Sequence, residues 1–309
     1  MDQLDAMRVF VAVARHGSFS AAAHQLRLSP SVATRAVAQL EDKLGETVLA
    51  RTTRSVRLTE RGARYLEHCA RILDDLADAE RDVRGERAEP RGGLTVAAPM
   101  MFGRLHVLPI VSGLLARHGQ LAIRLVLSDR FVHLVDEAVD VAVRIGELAD
   151  SSLIAARLGA VSRIVVASPA YLARRGTPRT PAELAGHDLI GFDALASGGD
   201  WRFADGAAVH VEPRLAVNSA DAAIAAAEDG LGITRTLSYQ VRAAVYAGRL
   251  VPLLQSHAPP ALPVHAVYPA RRFASANVAS FVAAAKARFQ AEPLVAVDAW
   301  RLPKRRRKR

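Results

Sequence analysis

Apolar residues in the first sixty positions recur at helical spacing. Leu4, Met7, Phe10, Val11 and Ala14 stand three and four residues apart, which predicts an amphipathic helix over 3–15 closed by Gly17. Between Gly17 and Glu41 the pattern gives two short helices and a tight turn. Ala21, Ala22, Ala23 and Leu26 offer the first of them a small apolar surface suited to close helix approach. Ser29 is placed to cap the second, with Pro30 in its first turn. Val32, Ala36, Val37 and Leu40 then share one face, leaving Ser31, Thr34, Arg35 and Gln39 outward. Thr47 to Leu58 alternates polar and apolar residues around Thr52-Thr53-Arg54-Ser55, the pattern of a two-stranded wing. From Thr59 to about Arg84, Leu66, Cys69, Leu73, Leu76, Glu80 and Val83 advance in alternating steps of three and four. That is a coiled-coil seam with one charged interruption. Either the helix's own domain or a second copy of the helix covers it, and the second copy is the more economical cover.

Past a polar stretch over 85–93 the grammar changes to strands alternating with helices. Strands are expected at Leu94–Ala98, Ile123–Leu127 and Val139–Ile145, with a helix over Arg104–His118 and a helical turn or two over Phe131–Glu137. This order implies a parallel sheet. A second α/β unit is expected from about Ser162, with strands Arg163–Ser168, Leu189–Gly191, Arg214–Val217 and Gly232–Thr234 and a helix Ala220–Glu228 capped by Asn218-Ser219. Val264–Tyr268 returns the chain to the first unit, and Asn277–Phe289 closes it as a helix. The expected fold class is α/β: a mostly α winged helix-turn-helix, a long linker helix, then two α/β lobes with a cleft between them.

Charge sharpens the picture. The formal net charge is +10, yet residues 1–61 carry nine basic against six acidic side chains and 301–309 carry seven basic and none acidic. The excess therefore sits at the two ends, which favours nucleic-acid contact by the N-terminal module over general surface stickiness. An outward face of short hydroxyl side chains plus Arg35 suits entry into a major groove, where Arg can bind guanine through two hydrogen bonds. The DNA-contact candidates are Ser18, Ser20, Ser29, Pro30, Ser31, Thr34 and Arg35, with Arg51 and Arg54 of the wing for phosphate or minor-groove contact. The run Lys304–Arg309 is expected to be disordered.

For a small ligand, the rule that open α/β sheets bind beyond the carboxyl ends of their strands selects Pro99, Met100, Phe102, Ser128, Asp129, Arg144, Ile145 and Gly146. Asn218, Ser219 and Thr234 would face them from the other lobe. The helix starting after Ser219 presents free N–H groups, and Met100-Met101-Phe102 is apolar, so an anionic or aromatic ligand is expected.

Several classes are disfavoured. The single cysteine, Cys69, excludes an internal disulfide and a cysteine-based zinc site within one chain, and the ten histidines form no pair at metal-ligand spacing. G-x-S-x-G, H-E-x-x-H, G-x-x-x-x-G-K-[ST] and G-x-G-x-x-G are all missing, and Gly230-Leu231-Gly232 follows a helix where a nucleotide loop needs a strand. No enzyme, metal or cofactor is expected. Asp2 and Asp5 stand where a secretory leader is basic, and no apolar run nears the roughly 18–20 residues of a membrane span. A soluble, cytoplasmic protein with no membrane partner is expected.

Residues 1–59 resemble the LysR-type transcriptional regulators nearly throughout. The likeness rests on Leu4, Met7, Phe10, Val13, Gly17-Ser18-Phe19-Ser20, Ala22-Ala23, Leu28-Ser29, Arg35, Leu40-Glu41, Leu44-Gly45, Arg51-Thr52-Thr53-Arg54 and Arg57-Leu58-Thr59. Val32-Ala33-Thr34 and Leu49-Ala50 depart from the family's commoner residues, the former at positions that bear on base preference. The remainder, to about Phe289, resembles the family's effector-binding region, a two-lobed fold like that of type 2 periplasmic binding proteins. The resemblance implies a winged helix-turn-helix over 1–59, a linker and dimerisation helix with hinge over 60–92, and an effector domain over 93–292. Lobe I would take 93–161 and 269–292, lobe II 162–268, and a basic tail 293–309. It further implies a homodimer joined through Leu66, Cys69, Leu73 and Leu76, pairing again into a homotetramer. The partners would be promoter DNA carrying a split palindrome, a cleft-bound effector and RNA polymerase. The rival reading is a small-ligand binder or enzyme on the two-lobed fold with only incidental DNA binding.

Overall fold

A computed structural model of the chain describes residues 1–51, 56–83, 89–130, 134, 137–148, 152–192, 200–204, 206–270 and 275–294. Chain contacts divide it into a first unit built on Met1–Leu94, joined by short returns near 120 and 276, and a second built on most of the rest.

In the first unit, α1 (Gln3–His16) starts under Asp2, whose carboxylate accepts the Asp5 N–H at 2.7 Å, and stops at Gly17, where φ is +62°. That left-handed turn is the one glycine adopts at least cost. α2 (Phe19–Gln25) is capped by Ser18, and α3 (Pro30–Leu44) by Ser29 with Pro30 in its first turn. β1 (Leu49–Arg51) and β2 (Val56–Leu58) pair antiparallel as the wing, and α4 (Glu60–Val83) follows. The core is small-residue packing: Val13, Ala22, Ala33, Ala36 and Val37 are fully buried around Phe10. Two expectations shift. Ala21 is exposed, and Ala33 replaces Val32 on the inner face of α3, because 33, 36, 37 and 40 complete the helical stripe.

The seam of α4 is corrected at Cys69. Cys69 is fully buried in the cluster that holds Phe10, and Leu66 and Leu73 pack on the same cluster. The nearest apolar surface for this face is α1 of the same chain, against which Cys69 is closed off inside its own domain while Leu66 and Leu73 stay half-buried. Leu76 is half-buried, Glu80 is exposed, and the side chain of Val83 lies outside the described residues.

In the second unit, one five-stranded sheet has the order β4-β3-β5-β14-β6. Its strands are β3 (Gly92–Ala98), β4 (Leu121–Leu127), β5 (Val141–Ile145), β6 (Leu153–Val161) and β14 (Leu262–Pro269). β3 and β5 are parallel, but β14 runs antiparallel to both β5 and β6, so the sheet is mixed where an all-parallel one was expected. β6 is a strand the sequence pattern does not announce. It pairs from Leu153 to Val161 along the whole of β14, which places 262–269 in lobe I and ends lobe II before Leu262.

Lobe II contains β7 (Arg163–Ala167), β8 (Leu189–Phe192), β11 (Leu215–Val217), β12 (Ile233–Leu237) and β13 (Val251–Leu253) in the order β11-β8-β12-β7-β13. The hairpin of β9 (Asp200–Arg202) and β10 (Ala208–His210) stands apart from that sheet. Its helices are α7 (Pro169–Arg175), α8 (Ala220–Glu228) and α9 (Ser238–Tyr246). α7, α9, β9, β10 and β13 were not expected. Lobe I carries α5 (Met100–Phe102), which runs through a π-turn at Gly103–Val107 into α6 (Leu108–Arg117), so helix begins four residues earlier than predicted. α10 (Ala276–Ala291) closes the fold. Its Asn277 accepts the Arg91 N–H at 3.0 Å and donates to Arg91 O and Gly93 O, which pins the last residues of the expected hinge. Leu294, assigned to the tail by sequence, would lie 3.2 Å from a Cβ on Gly159 and so packs on β6. Residues 84–88, most of 131–136 and the basic run 295–309 lie outside the described residues.

Candidate nucleic-acid interface and effector cleft

The start of α3 is open to solvent: Ser29, Pro30, Ser31 and Arg35 are exposed, as is Ser20 on α2, while Ser18 and Thr34 are half-exposed. Several of these hydroxyls have structural work as well. Ser18 Oγ accepts the Ala21 N–H and Ser29 Oγ the Val32 N–H, both at 3.3 Å, while Thr34 Oγ1 donates to Pro30 O at 2.9 Å. Ser31 Oγ lies 3.0 Å from Ser29 Oγ. Arg35 and Ser20 make no such bond among the described residues. In the wing, Arg57 is exposed; Arg54 and the side chain of Arg51 lie outside the described residues.

The wing is fixed to α3 and α4 by residues that sequence reasoning passed over. Glu41 accepts the N–H groups of Val48 and Leu49 at 2.9 and 3.1 Å, so the end of α3 holds the start of β1. Thr59 Oγ1 donates to Thr47 O and accepts the Gly62 N–H, both at 2.9 Å, capping α4 against the same segment. In the sequence Glu41 stands out only as part of the pair Leu40-Glu41. An acidic side chain near a helix C-terminus is unfavourable locally, and the two wing amides offset that cost.

In the second unit, the carboxyl ends of β3 and β5 lie on one side because the strands are parallel neighbours. There Met100 is exposed, and its N–H donates to Asp129 Oδ1 at 3.0 Å. Ser128 Oγ accepts the Arg130 N–H at 3.1 Å. Arg104 pairs with Asp221 at 3.0 Å, which brings the segment after β3 to the first turn of α8, beside Asn218 and Ser219. Arg144, Ile145 and Gly146 are half-buried at the end of β5, and burial lowers the Arg144 pKa. Pro99, Met100, Asp129, Asn218 and Ser219 are thus gathered on one side of the lobes. Ser219 also caps α8, accepting the Ala222 N–H at 3.4 Å.

Two residues do not fit a ligand surface. Thr234 is fully buried near the amino end of β12, which runs on to Leu237, and its hydroxyl donates to Ile190 O at 3.1 Å. Phe102 is also fully buried, its ring centroid 4.8 Å from His106, 5.2 Å from Tyr239 and 5.9 Å from Phe289. Periodicity could not separate the two cases, since both lie next to strand ends. Met101, beside Phe102, is buried in the core of lobe II with Ile190 and Ala223, so the two lobes share packed surface here.

Burial, then Arg288, brings the His106 pKa down from 6.5 to about 4. The unfolded chain therefore takes up an extra proton between those values, so stability falls as pH drops from 6.5 to 4 and is unaffected by this group above 6.5. The thermal midpoint is expected to fall through that window, and His106→Gln should flatten the slope. Equal slopes in the two chains would reject the assignment.

Residues 4–63 match the family description "Bacterial regulatory helix-turn-helix protein, lysR family", and residues 87–290 match "LysR substrate binding domain". The HTH-type transcriptional regulator CrgA of Neisseria meningitidis serogroup B is 38% identical over 253 residues, covering 80% of this chain and 84% of the relative. The HTH-type transcriptional regulator PtxR of Pseudomonas aeruginosa is 34% identical over 293 residues, 94% of each. The solved structure of CrgA, described as a LysR-type transcriptional regulator, aligns with a TM-score of 0.57 at 34% identity over 95% of this chain and 99% of that one.

Proposed function

The chain belongs to the LysR family of transcriptional regulators, and from that premise we propose which residues read DNA and which meet the effector. It is a sequence-specific DNA-binding regulator whose binding responds to a small molecule in its effector domain. Arg35, with Ser29, Pro30 and Ser31, reads base edges in a major groove; Ser18, Ser20 and Thr34 position the helix, and the wing arginines Arg51 and Arg54 bind backbone. The observation that carries this is the exposure of Arg35 on a helix whose other face is closed by Ala33, Ala36 and Val37.

The effector meets Pro99, Met100, Ser128, Asp129, Arg144, Ile145, Gly146, Asn218 and Ser219. Asp129 and Asp221 already stand at the first turns of the two helices there, so a neutral or aromatic effector suits the cleft better than a carboxylate does. The protein acts by binding and not by catalysis. It works in the cytoplasm; among the described residues no helix is long and apolar enough to cross a membrane. Two copies are joined through α4 by Leu76 and the exposed Ile72, pairs assemble further, and a ligand shifts occupancy of spaced half-sites and the access of RNA polymerase.

Arg35→Ala tests the assignment. Cognate affinity is expected to fall by about 1–3 kcal/mol with little change on random DNA. Equal losses on both, measured by fluorescence anisotropy at one salt concentration, would contradict it.

A further inference from the structure

Beside the lobe crossing at Val161 lies a cavity of about 60 Å³ whose lining includes His106, Tyr239, Arg242, Arg288, Phe289 and Glu292. It takes residues from three separate stretches: the π-turn after α5, α9 of lobe II and the end of α10. Two of its nitrogens, Arg288 Nε and His106 Nε2 (a donor in the Nε2–H tautomer), are buried without a hydrogen-bond partner among the described residues. Native proteins rarely leave buried donors unpaired, and two beside one cavity call for an acceptor.

The charge around the cavity states what that acceptor is. Arg242 and Arg288 stand against one carboxylate, Glu292, which is 3.0 Å from a terminal nitrogen of Arg288. His106 is neutral near pH 7, since burial and both arginines oppose its protonation and only Glu292 favours it. The lining therefore carries one net positive charge. Its walls are apolar: the Tyr239 and Phe289 rings lie 5.5 and 5.9 Å from the His106 ring. A cation is repelled, and a polyphosphate is too large for space equal to a few water molecules.

We propose that this cavity is a second ligand site, specific for a small monocarboxylate. The carboxylate accepts from Arg288 Nε, from His106 Nε2 and from the Arg242 guanidinium at the rim, and its carbon body lies on Phe289 and Tyr239. The site is separate from the strand-end cleft and uses none of that cleft's residues. The two are linked by side-chain packing, because Tyr239 meets Phe102 edge-on at 5.2 Å. An occupant would bridge His106 and Arg288 of lobe I to Arg242 of lobe II.

The test uses the full chain with isotope-labelled histidine, the His106 ring signal being identified by its loss in His106→Gln. Formate, acetate and propionate are titrated at constant ionic strength, with acetamide and propionamide as uncharged controls. The expected result is a saturable shift of His106 with at least one carboxylate and none with the amides. Arg242 is exposed, so Arg242→Met should fold normally, and it is expected to weaken that binding at least tenfold; Arg288→Met should abolish it. A His106 signal that ignores all three acids, responds equally to the amides, or saturates unchanged in Arg242→Met would overturn the proposal. Operator binding by the same samples reports on the DNA-reading unit, so failure here is distinguishable from failure of the regulator reading.

Discussion

Gly62→Ala is expected to abolish operator binding and to lower the melting point of the DNA-reading unit. A Cβ at this position would stand 1.9 Å from Val48 O, 2.8 Å from Val48 C and 3.1 Å from Thr59 Oγ1. Two of these atoms are backbone, and the Val48 segment is itself tied to Glu41. Relief therefore requires α4 to move away from the wing or the wing to leave α3. Overpacking costs about 1–3 kcal/mol even where side chains can yield, and here the upper end applies. Gly113 in α6 is the control: a Cβ there meets nothing within 4 Å. Gly113→Ala should stabilise by about 0.5–1 kcal/mol through helix propensity alone. Two helical glycines changed in the same way are thus expected to move stability in opposite directions. Calorimetry of the two variants checks the signs, and a Gly62→Ala protein that melts and binds like the parent would refute the close-approach argument.

Phe10→Ala should have a comparably large effect by the opposite route. Phe10 is fully buried, and its ring lies 5.6 Å from that of Tyr65 on α4. It therefore joins α1 to the helix that leads out of the unit. Its neighbours Ala22, Ala33 and Ala36 are too small to close the hole left behind. Truncation of a buried phenylalanine costs about 3–5 kcal/mol. In a unit of this size that lowers the melting point by about 10 °C or more. Urea unfolding followed by operator binding is the measurement. A midpoint within experimental error of the parent's would mean that the cluster around Phe10 is not what holds the three helices.

The first unit is largely legible in the sequence. Its signals are local: a serine before a proline, glycines at helix ends, apolar residues three and four apart. The misassignment of Val32 for Ala33 arose because alanine carries little hydrophobic signal, yet its small volume is what lets α3 approach its neighbours. Leu66, Cys69 and Leu73 form one apolar face as the spacing predicts, and Cys69, fully buried within its own chain, drops out of the expected dimer contact, since periodicity reports that a face is covered but not by which chain. The strand-end rule found Met100, Asp129 and Ser219 on one side of the lobes. It failed at Thr234 and Phe102, where the strand ran on or the ring turned inward.

What the sequence determined by itself is whatever depends on neighbours within about one helical turn: where helices begin and stop, which face of each is apolar, and the change from helical to strand grammar near residue 93. The tertiary structure alone decided the partners of those faces. β14 lies far along the chain from β6, and their pairing makes the first sheet mixed. Glu41 finds the amides of Val48 and Leu49, and the cavity at His106 is built by side chains from three distant stretches. A hydrogen bond or an apolar contact depends on distance in space, and distance along the chain stops constraining that once the backbone has turned back on itself.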